Sequence, residues 1–293
     1  MKGTDTMKTS TEIASASRLI GEEKAVELIG KAGFDAWDFS MFVMAVYDWG
    51  NKCLKLNDHP LAGNDYLKFA RRLKQIGLDN GIHCNQSHAP FPTHIPEIRS
   101  FLKRAIECTA EAGGNICVIH PMNSATTEEN AEMYNELLPF AKDHGVKIAT
   151  ENMWNWDNEK DHVAFAACMT PESFNAHLDA VNDEYFTSCL DIGHAEMKGA
   201  GTNCVELIKA LGERLGALHI HDNDKWHDSH QLPGEMDIDF VQIVKALKEV
   251  NYKGYFTHEA DAYLKAYTAE TAFEGITNMA KKARELADMF EAF

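Results

Sequence analysis

The amino-acid sequence predicts an α/β protein built as a single (β/α)8 TIM barrel. Short apolar runs of strand length alternate eight times with longer stretches in which apolar residues have helical spacing. The length of 293 residues is close to the usual size of one such barrel. His, Asp and Glu residues follow the apolar runs, and the carboxyl ends of all strands in a barrel meet on one face. We therefore expect side chains far apart in sequence to share one pocket.

Individual elements carry their own sequence signals. Gly33 and Gly145 mark helix ends, Asn64 is a candidate cap, and Thr127 opens a capping pattern with the Glu-Glu-Asn that follows it. Residues 44–63 lack clean periodicity and are predicted to form a long loop that shapes the pocket. The predicted strands are 11–17, 34–41, 82–91, 115–121, 146–152, 185–194, 217–222 and 254–261, and the predicted helices are 21–33, 64–81, 95–114, 127–145, 170–181, 203–216, 237–251 and 269–293.

The chain is predicted to consist of a flexible N-terminal tail over residues 1–10 and one barrel domain over residues 11–293. The start is polar, and the strand at 11–17 has the weakest apolar pattern of the eight. No linker or low-complexity run divides the rest of the sequence, so we expect no second domain.

The composition limits the classes of partner that we expect the protein to bind. Lys and Arg total 28 against 45 for Asp and Glu, which gives a net charge of −17. Such an acidic body repels polyanions at long range, so we expect no nucleic-acid partner. The seven Cys contain no CxxC pair, and we find no signal peptide or apolar segment of membrane length. We therefore expect a soluble cytoplasmic protein with no membrane partner.

Four ligand-type residues end four successive predicted strands: Glu151, Asp191, His219 and Glu259. Imidazole and carboxylate together can hold Mn²⁺, Mg²⁺, Co²⁺ or Zn²⁺ and leave positions open for substrate oxygens. Taken singly, a carboxylate at a strand end is often a helix cap, and a strand His is often a satisfied core residue. The occurrence on four consecutive strands favours a metal site.

Further polar residues surround this set. His194 lies three residues after Asp191 and is either a ligand or a hydrogen-bond partner of one. His88 and His120 end the third and fourth strands, where the alternative is that they bond only to loop carbonyls. Since side chains alternate along a strand, His221 shares a strand face with His219, and Asp222 is a candidate for orienting a ligand imidazole.

The loop after the seventh strand contains Asp228 and His230, which could supply a second metal site together with His194. The alternative is a polar loop that faces solvent. Trp154 follows Glu151, and apolar walls with a few converging polar groups suit a small polyol. No Gly-rich phosphate loop, G-x-S-x-G motif or nucleophilic Cys context is present, so we expect no organic cofactor.

At these residues the chain resembles the xylose isomerase-like barrel superfamily, which includes sugar isomerases and epimerases, inosose dehydratases, hydroxypyruvate isomerases and endonuclease IV. The segments that carry the resemblance are LDIGHA (Asp191 and His194), ALHIHDND (His219 and Asp222), ATEN (Glu151) and THEAD (Glu259). The resemblance covers essentially the whole chain.

Two branches of this superfamily compete. Tagatose-type epimerases carry an Arg where this chain has Lys225, and endonuclease IV adds zinc ligands at the positions of His88, His120, Asp228 and His230. The PGEMDID segment lacks the glycine expected at Met236. The loop after His88 contains no Lys or Arg, whereas a DNA enzyme needs basic loops. The acidic charge and this loop favour sugar chemistry.

The resemblance implies a divalent-metal-dependent isomerase or epimerase that acts on a sugar, sugar acid or sugar phosphate by proton transfer through an enediolate. Glu151 and Glu259 are the expected acid/base pair, with His194 as the further catalytic candidate. The alternatives are an endonuclease IV-like multi-zinc phosphodiesterase that acts on abasic DNA, an inosose dehydratase-like lyase and a non-catalytic barrel that binds a small ligand. A homo-oligomer is possible. The expected substrate contacts are His88, His120, Trp154, Asp222 and Lys225.

Overall fold

Eight parallel strands form the centre of the molecule in the computed structural model, which describes residues 6–293. In chain order they are β1 (Thr9–Glu12), β2 (Ala36–Ser40), β3 (His83–His88), β4 (Ile116–Val118), β5 (Lys147–Glu151), β6 (Phe186–Asp191), β7 (Leu215–His219) and β8 (Phe256–His258). β1 to β7 pair in chain order, and β1 also pairs with β8.

The ring closes between β7 and β8 through a single parallel bridge that joins Ile220 to His258. The Ile220 amide donates to Thr257 O at 2.9 Å, and the Glu259 amide donates to Ile220 O at 3.0 Å. The predicted (β/α)8 barrel is therefore confirmed. The residues of the seam adjoin His219 and Glu259, so the ring closes at the face where we expect the pocket.

Helices cover the outside of the ring. They are α1 (Ala14–Ile20), α2 (Glu22–Ala32), α3 (Tyr66–Asp79), α4 (Pro96–Arg99), α5 (Leu102–Ala112), α6 (Thr127–Asp143), α7 (Pro171–Val181), α8 (Ile192–Glu196), α9 (Cys204–Leu211), α10 (Phe240–Glu249) and α11 (Ala272–Ala292). Short 3-10 turns occupy Phe42–Met44, Gly212–Arg214 and Tyr263–Ala266. None of the helices within residues 6–293 combines the length and apolar character of a membrane span.

The first strand differs from its prediction. β1 begins at Thr9, and the residues predicted to continue it beyond Glu12 instead enter helix α1. Ser10 donates a buried hydrogen bond of 2.6 Å to Asn85 Oδ1 in the barrel interior, so this strand needs no apolar pattern. The barrel thus starts two residues before the predicted boundary, and residues 1–5 of the predicted tail lie outside the described part of the chain.

The predicted cap of helix α6 moves by one residue, and the predicted start of helix α3 moves by two. Helix α6 is capped by Thr126 and not by Thr127: the Glu129 amide donates to Thr126 Oγ1 at 3.2 Å, and Glu129 Oε2 accepts from the Thr126 amide at 2.8 Å. Helix α3 begins at Tyr66, so the predicted cap Asn64 lies outside it. The capping-box pattern itself selects Thr126, because the third residue after Thr126 is Glu129, whereas the third residue after Thr127 is Asn130.

Two small antiparallel hairpins lie in the loops after β2 and β5. The first pairs Tyr47–Asp48 with Cys53–Leu54 inside the predicted loop 44–63, and the second pairs Asn155–Asp157 with His162–Ala164. Both follow carboxyl ends of barrel strands, so they shape the pocket face. The main apolar core lies between the ring and its helices, where Leu102, Tyr134 and Phe174 are buried.

Candidate metal centre

The carboxyl face of the barrel holds a cavity of about 390 Å³. Phe42, Phe91, Met153 and Trp154 supply apolar wall, and imidazoles and carboxylates supply the floor. Trp154 therefore lines the cavity as predicted for a substrate contact. The His, Cys, Asp and Glu side chains form five overlapping groups of possible metal ligands, three of which we call the central, outer and loop groups.

The central group is the predicted set, Glu151, Asp191, His219 and Glu259. One donor atom of each lies within 4.8 Å of the others. His219 Nδ1 is 3.1 Å from Glu151 Oε1 and 3.3 Å from Glu259 Oε2. All four side chains are buried because parallel strands β5 to β8 bring them together at adjacent positions in the ring. The structure thus assembles the residues that the sequence selects.

The outer group consists of His88, His120 and Glu151. Glu151 Oε2 is 3.2 Å from His120 Nε2, and His88 Nε2 is 2.7 Å from His120 Nε2. His88 Nδ1 also lies 3.3 Å from Glu259 Oε1. Glu151 therefore directs Oε1 at the central group and Oε2 at the outer group. His88 and His120, predicted as substrate contacts, have the positions of further metal ligands.

The loop group contains the predicted second site, His194, Asp228 and His230, together with His221. Asp228 Oδ2 is 3.3 Å from His194 Nε2 and 3.2 Å from His230 Nε2. Asp228 Oδ1 is 3.6 Å from His221 Nε2. The sequence placed His221 only on the strand face of His219, and its membership of the loop group was missed.

Buried carboxylates and imidazoles shift each other's pKa values in the site. Burial alone would raise the pKa of Glu151, but the imidazoles of His219 and His120 outweigh it and hold that pKa well below the ordinary value. Burial alone would lower the pKa of His194, but Asp191 and Asp228 raise it to about 10. Burial alone would also lower the pKa of His219, but Cys189, Glu259 and Glu151 raise it well above its usual range. The carboxylates therefore demand positive charge, which protons or metal ions can supply.

The donor set fits divalent metal ions. Imidazole nitrogens and carboxylate oxygens are the ligands that Zn²⁺ and Mn²⁺ share. Glu151 Oε2, Asp191 Oδ2 and Asp228 Oδ1 are buried without a hydrogen bond of proper geometry to any described residue. Buried carboxylate oxygens are costly unless a partner satisfies them, and a bound cation would do so.

Two predicted substrate contacts do not reach the cavity. Asp222 is buried, and its carboxylate accepts backbone N–H groups from Gly234 at 2.8 Å, Met236 at 2.9 Å and Ile238 at 3.1 Å. It anchors the loop before α10. Lys225 Nζ lies 3.5 Å from Glu196 Oε2 on the surface beside α8. Neither side chain lines the cavity, because these partners hold both of them outside its wall.

Two carboxylates near the site were missed by the sequence interpretation. Asp38 on β2 has Oδ2 at 3.6 Å from His219 Nε2, on the side of the ring away from the central group, and accepts from Gln86 Nε2 at 2.9 Å. Such a carboxylate can fix the orientation of a ligand imidazole. Glu12 ends β1, lines the cavity and accepts from the Ser15 amide at 3.0 Å. The predicted strand over residues 11–17 did not place Glu12 at a strand end, whereas the observed strand ends there.

Glu12→Gln should change how the stability of the metal-free protein depends on pH. Burial, reinforced by Asp261 and Glu259 against the hydrogen bonds from Ser15, raises the pKa of Glu12 from 4.5 to about 7. A raised pKa gives stability that is fully present below pH 4.5 and is lost as the pH rises through 7. Relative to wild type, the Gln variant should therefore gain about 3 kcal/mol between pH 4.5 and pH 8.

Urea unfolding of both proteins across this pH range measures the difference, and the other titrating groups cancel in it. Parallel stability curves for wild type and Glu12→Gln would show that Glu12 has an ordinary pKa.

Comparison with known proteins agrees with the fold. Residues 26–292 match the family described as xylose isomerase-like TIM barrel. An IolI protein with a bound zinc atom has a TM-score of 0.70 at 21% identity and covers 98% of this chain and 99% of that one. A D-tagatose 3-epimerase-like protein has a TM-score of 0.69 at 22% identity, with coverages of 96% and 98%. At these identities the likeness shows the fold.

Curated relatives match over shorter segments. An uncharacterized protein of Methanocaldococcus jannaschii is 29% identical over 190 residues, which cover 59% of this chain and 62% of that protein. An inosose dehydratase of Clostridium perfringens is 25% identical over 157 residues, which cover 48% and 49%. An L-ribulose 3-epimerase of a Methylomonas species is 22% identical over 179 residues, with 58% of each chain covered. The chain thus spans less than two thirds of the length of these relatives.

Proposed function

Since the chain belongs to the xylose isomerase-like TIM barrel family, we propose that it is a divalent-metal-dependent enzyme that isomerises or epimerises a sugar, sugar acid or sugar phosphate. The central group carries this proposal, because it offers one imidazole and three carboxylates to a single ion at the floor of a small cavity. Names of relatives and structural neighbours support the reaction class, since they include sugar 3-epimerases and inosose dehydratases.

A divalent ion held by Glu151, Asp191, His219 and Glu259 would supply Lewis acidity toward a carbonyl and its neighbouring hydroxyl. Asp191 and His219 serve as anchors, and Asp38 holds the far side of the His219 ring. These groups are buried and fixed by strand ends, so they can orient an open-chain sugar with little reorganisation.

Proton transfer falls to Glu151 and Glu259, which come from β5 and β8 and lie on both sides of His219. One carboxylate removes the proton from the carbon next to the carbonyl, and the other returns a proton to the enediolate. His194 is the next candidate, because its Nδ1 donates to Asn152 O at 2.9 Å and its Nε2 points toward the cavity side at Asp228. The wall of Phe42, Phe91 and Trp154 would pack on the carbon face of the sugar and exclude water.

The test is solvent isotope exchange. We expect metal-loaded protein in deuterated buffer to place deuterium next to the carbonyl carbon of at least one member of a panel of ketoses, ketose phosphates, keto sugar acids and inososes. Mass spectrometry and NMR would detect the label, and product analysis would separate epimerisation from loss of water. Dehydration without isomerised product would place the chain with lyases, and a complete lack of exchange across the panel would contradict the proposal.

A second candidate is a multi-zinc phosphodiesterase, because the outer and loop groups extend the central group toward a three-metal centre. The cavity wall argues against a DNA substrate, since Arg18 is the only Lys or Arg among its lining residues. Arg18 is itself paired with Asp261 at 2.8 Å. Phosphate backbones are held chiefly by cationic side chains.

We therefore expect zinc-loaded protein neither to retain nor to cleave a duplex with one abasic site at 150 mM salt. Gel analysis of labelled duplex, beside an undamaged duplex as control, measures both events. Efficient incision that a chelator abolishes would reverse the ranking of the two functions.

A further inference from the structure

We propose that Arg18 and Asp261, together with Glu12, form a subsite that binds sugar hydroxyls at one end of the cavity and selects substrates that carry no charge at that end. The inference rests on the proposed function, because it names the class of substrate that the same cavity accepts. That class is the uncharged sugar, in preference to the sugar phosphate. The three residues determine specificity and take no part in the proton transfer.

All three side chains line the cavity, and they come from three separate elements. Glu12 ends strand β1, Arg18 lies on helix α1, and Asp261 follows strand β8. None of them belongs to the five groups of possible metal ligands found within residues 6–293. A metal ion bound in one of those groups would therefore leave these side chains available to the substrate.

The ion pair between Arg18 and Asp261 has unused hydrogen-bonding capacity on both sides. Arg18 Nη1 donates to Asp261 Oδ2 at 2.8 Å, which is the one hydrogen bond that either side chain makes to a described residue. The Arg18 side chain is 53% exposed and that of Asp261 is 25% exposed. Two neighbouring sugar hydroxyls can therefore donate to the carboxylate and accept from the guanidinium, since a hydroxyl does both.

Glu12 adds a second carboxylate, which is held in place. Its side chain is buried, Oε2 accepts from the Ser15 amide at 3.0 Å, and Oε1 accepts from Ser15 Oγ. Each carboxylate oxygen can accept a further hydrogen bond, so a substrate hydroxyl that reaches this wall finds an acceptor of fixed orientation. Two carboxylates beside one guanidinium suit substrate groups that bring their own protons, as sugar hydroxyls do.

The charges at this end of the cavity disfavour an anionic substrate group. Arg18 is the only Lys or Arg among the lining residues, and it is already paired with Asp261. Burial, together with the charges of Asp261 and Glu259, raises the pKa of Glu12 to about 7, so this wall already resists the negative charge that it has. A phosphate would have to displace Asp261 from Arg18 and would then lie beside like charges, which repel it.

The alternative role of the ion pair is to tie helix α1 to the loop after β8. Ion pairs of this exposure contribute little to stability. The loop also has another anchor, because the Ala262 amide donates to His230 O at 3.1 Å. Substitutions of Arg18 or Asp261 should therefore leave the fold intact and report on the binding of substrate.

The experiment compares the binding of the D-ketohexoses with that of their 6-phosphates. Dissociation constants are measured by NMR titration of metal-loaded, full-length protein, and each phosphate is expressed as a ratio to its parent ketose. We expect wild type to bind at least one ketohexose at least about tenfold more tightly than its 6-phosphate. Asp261→Asn keeps the volume of the side chain, removes its charge and releases Arg18, so this preference should fall by at least about tenfold.

Two further variants make the result specific. Asp183→Asn is the matched control, because Asp183 is paired with Lys142 at 2.6 Å, has a side chain that is 21% exposed and lies outside the cavity. It removes one negative charge from the protein and should leave the preference unchanged. Arg18→Gln should weaken the binding of the preferred ketohexose about tenfold, because the sugar hydroxyl loses its charged donor. Circular dichroism shows whether each variant has folded.

A folded Asp261→Asn protein with the same preference as wild type would overturn the proposal. So would a wild type that binds no ketohexose, or one that binds the 6-phosphates as tightly as the ketohexoses. All of these outcomes are read without turnover. The expected preference without isotope exchange would therefore contradict only the proposed reaction, whereas isotope exchange with an unchanged preference in Asp261→Asn would contradict only the subsite.

Discussion

Glu151→Ala should deplete two ligand groups at once and lower turnover by at least about a thousandfold. Glu151 is the carboxylate common to the central and outer groups, with Oε1 at 3.1 Å from His219 Nδ1 and Oε2 at 3.2 Å from His120 Nε2. Its removal also takes away the negative charge that both imidazoles contact. Bound metal per chain and isotope exchange on the best panel substrate are the two measurements.

Glu159→Ala is the control for this change, since Glu159 is exposed in the loop that follows the same strand. His219→Ala should lower metal content as well, but by the loss of the central ion only. An unchanged metal content in Glu151→Ala would remove the basis for treating the central and outer groups as metal sites.

Glu259→Gln should separate metal binding from proton transfer. Gln keeps the volume of the side chain and one coordinating oxygen, but it cannot readily take up a proton. If Glu259 is one of the two acid/base groups, the variant should keep the central ion and lose isotope exchange by about a hundredfold to ten-thousandfold. Metal analysis and exchange must be measured on the same sample, because loss of the ion would also abolish exchange.

Glu151→Gln provides the matched comparison on the other side of His219. Exchange that continues in both Gln variants with metal bound would show that the proton moves through another residue. His194 would then be tested, because the hydrogen bond from its Nδ1 to Asn152 O fixes the orientation of its ring.

The central group could be predicted from the sequence because each of its members directly ends a strand or follows one. Strand ends are visible as the points where apolar runs stop, and the barrel topology then brings them together. The role of Asp222 could not be read in this way. Its partners are the backbone amides of a loop twelve to sixteen residues later, and a sequence pattern does not reveal where amides without partners will point.

His221 and Asp38 illustrate a second limit. Asp38 contributes through a distance of 3.6 Å to His219, and His221 contributes through a distance of 3.6 Å to Asp228. The alternation rule gives only the face of a strand and no such distance. Gly193 was visible in the sequence as part of LDIGH. The need for a glycine there follows only from the structure, in which a Cβ atom at this position would lie 1.8 Å from Cε1 of the His221 ring. Strand β1 was misplaced for a related reason, since its buried polar residues bond to Asn85 and Asp35 and so need no apolar pattern.

The closure of the ring between β7 and β8 links metal binding to folding. The seam is held by the bridge between Ile220 and His258, while His219 and Glu259 stand immediately beside it on opposite sides. An ion shared by His219 and Glu259 would act as a cross-link between two segments 40 positions apart in the chain. Because such an ion binds the closed ring and not the open one, its binding free energy adds to the free energy of unfolding. A bound ion would therefore stabilise the contact that closes the barrel, and a chain with an open seam would not bring His219 and Glu259 together.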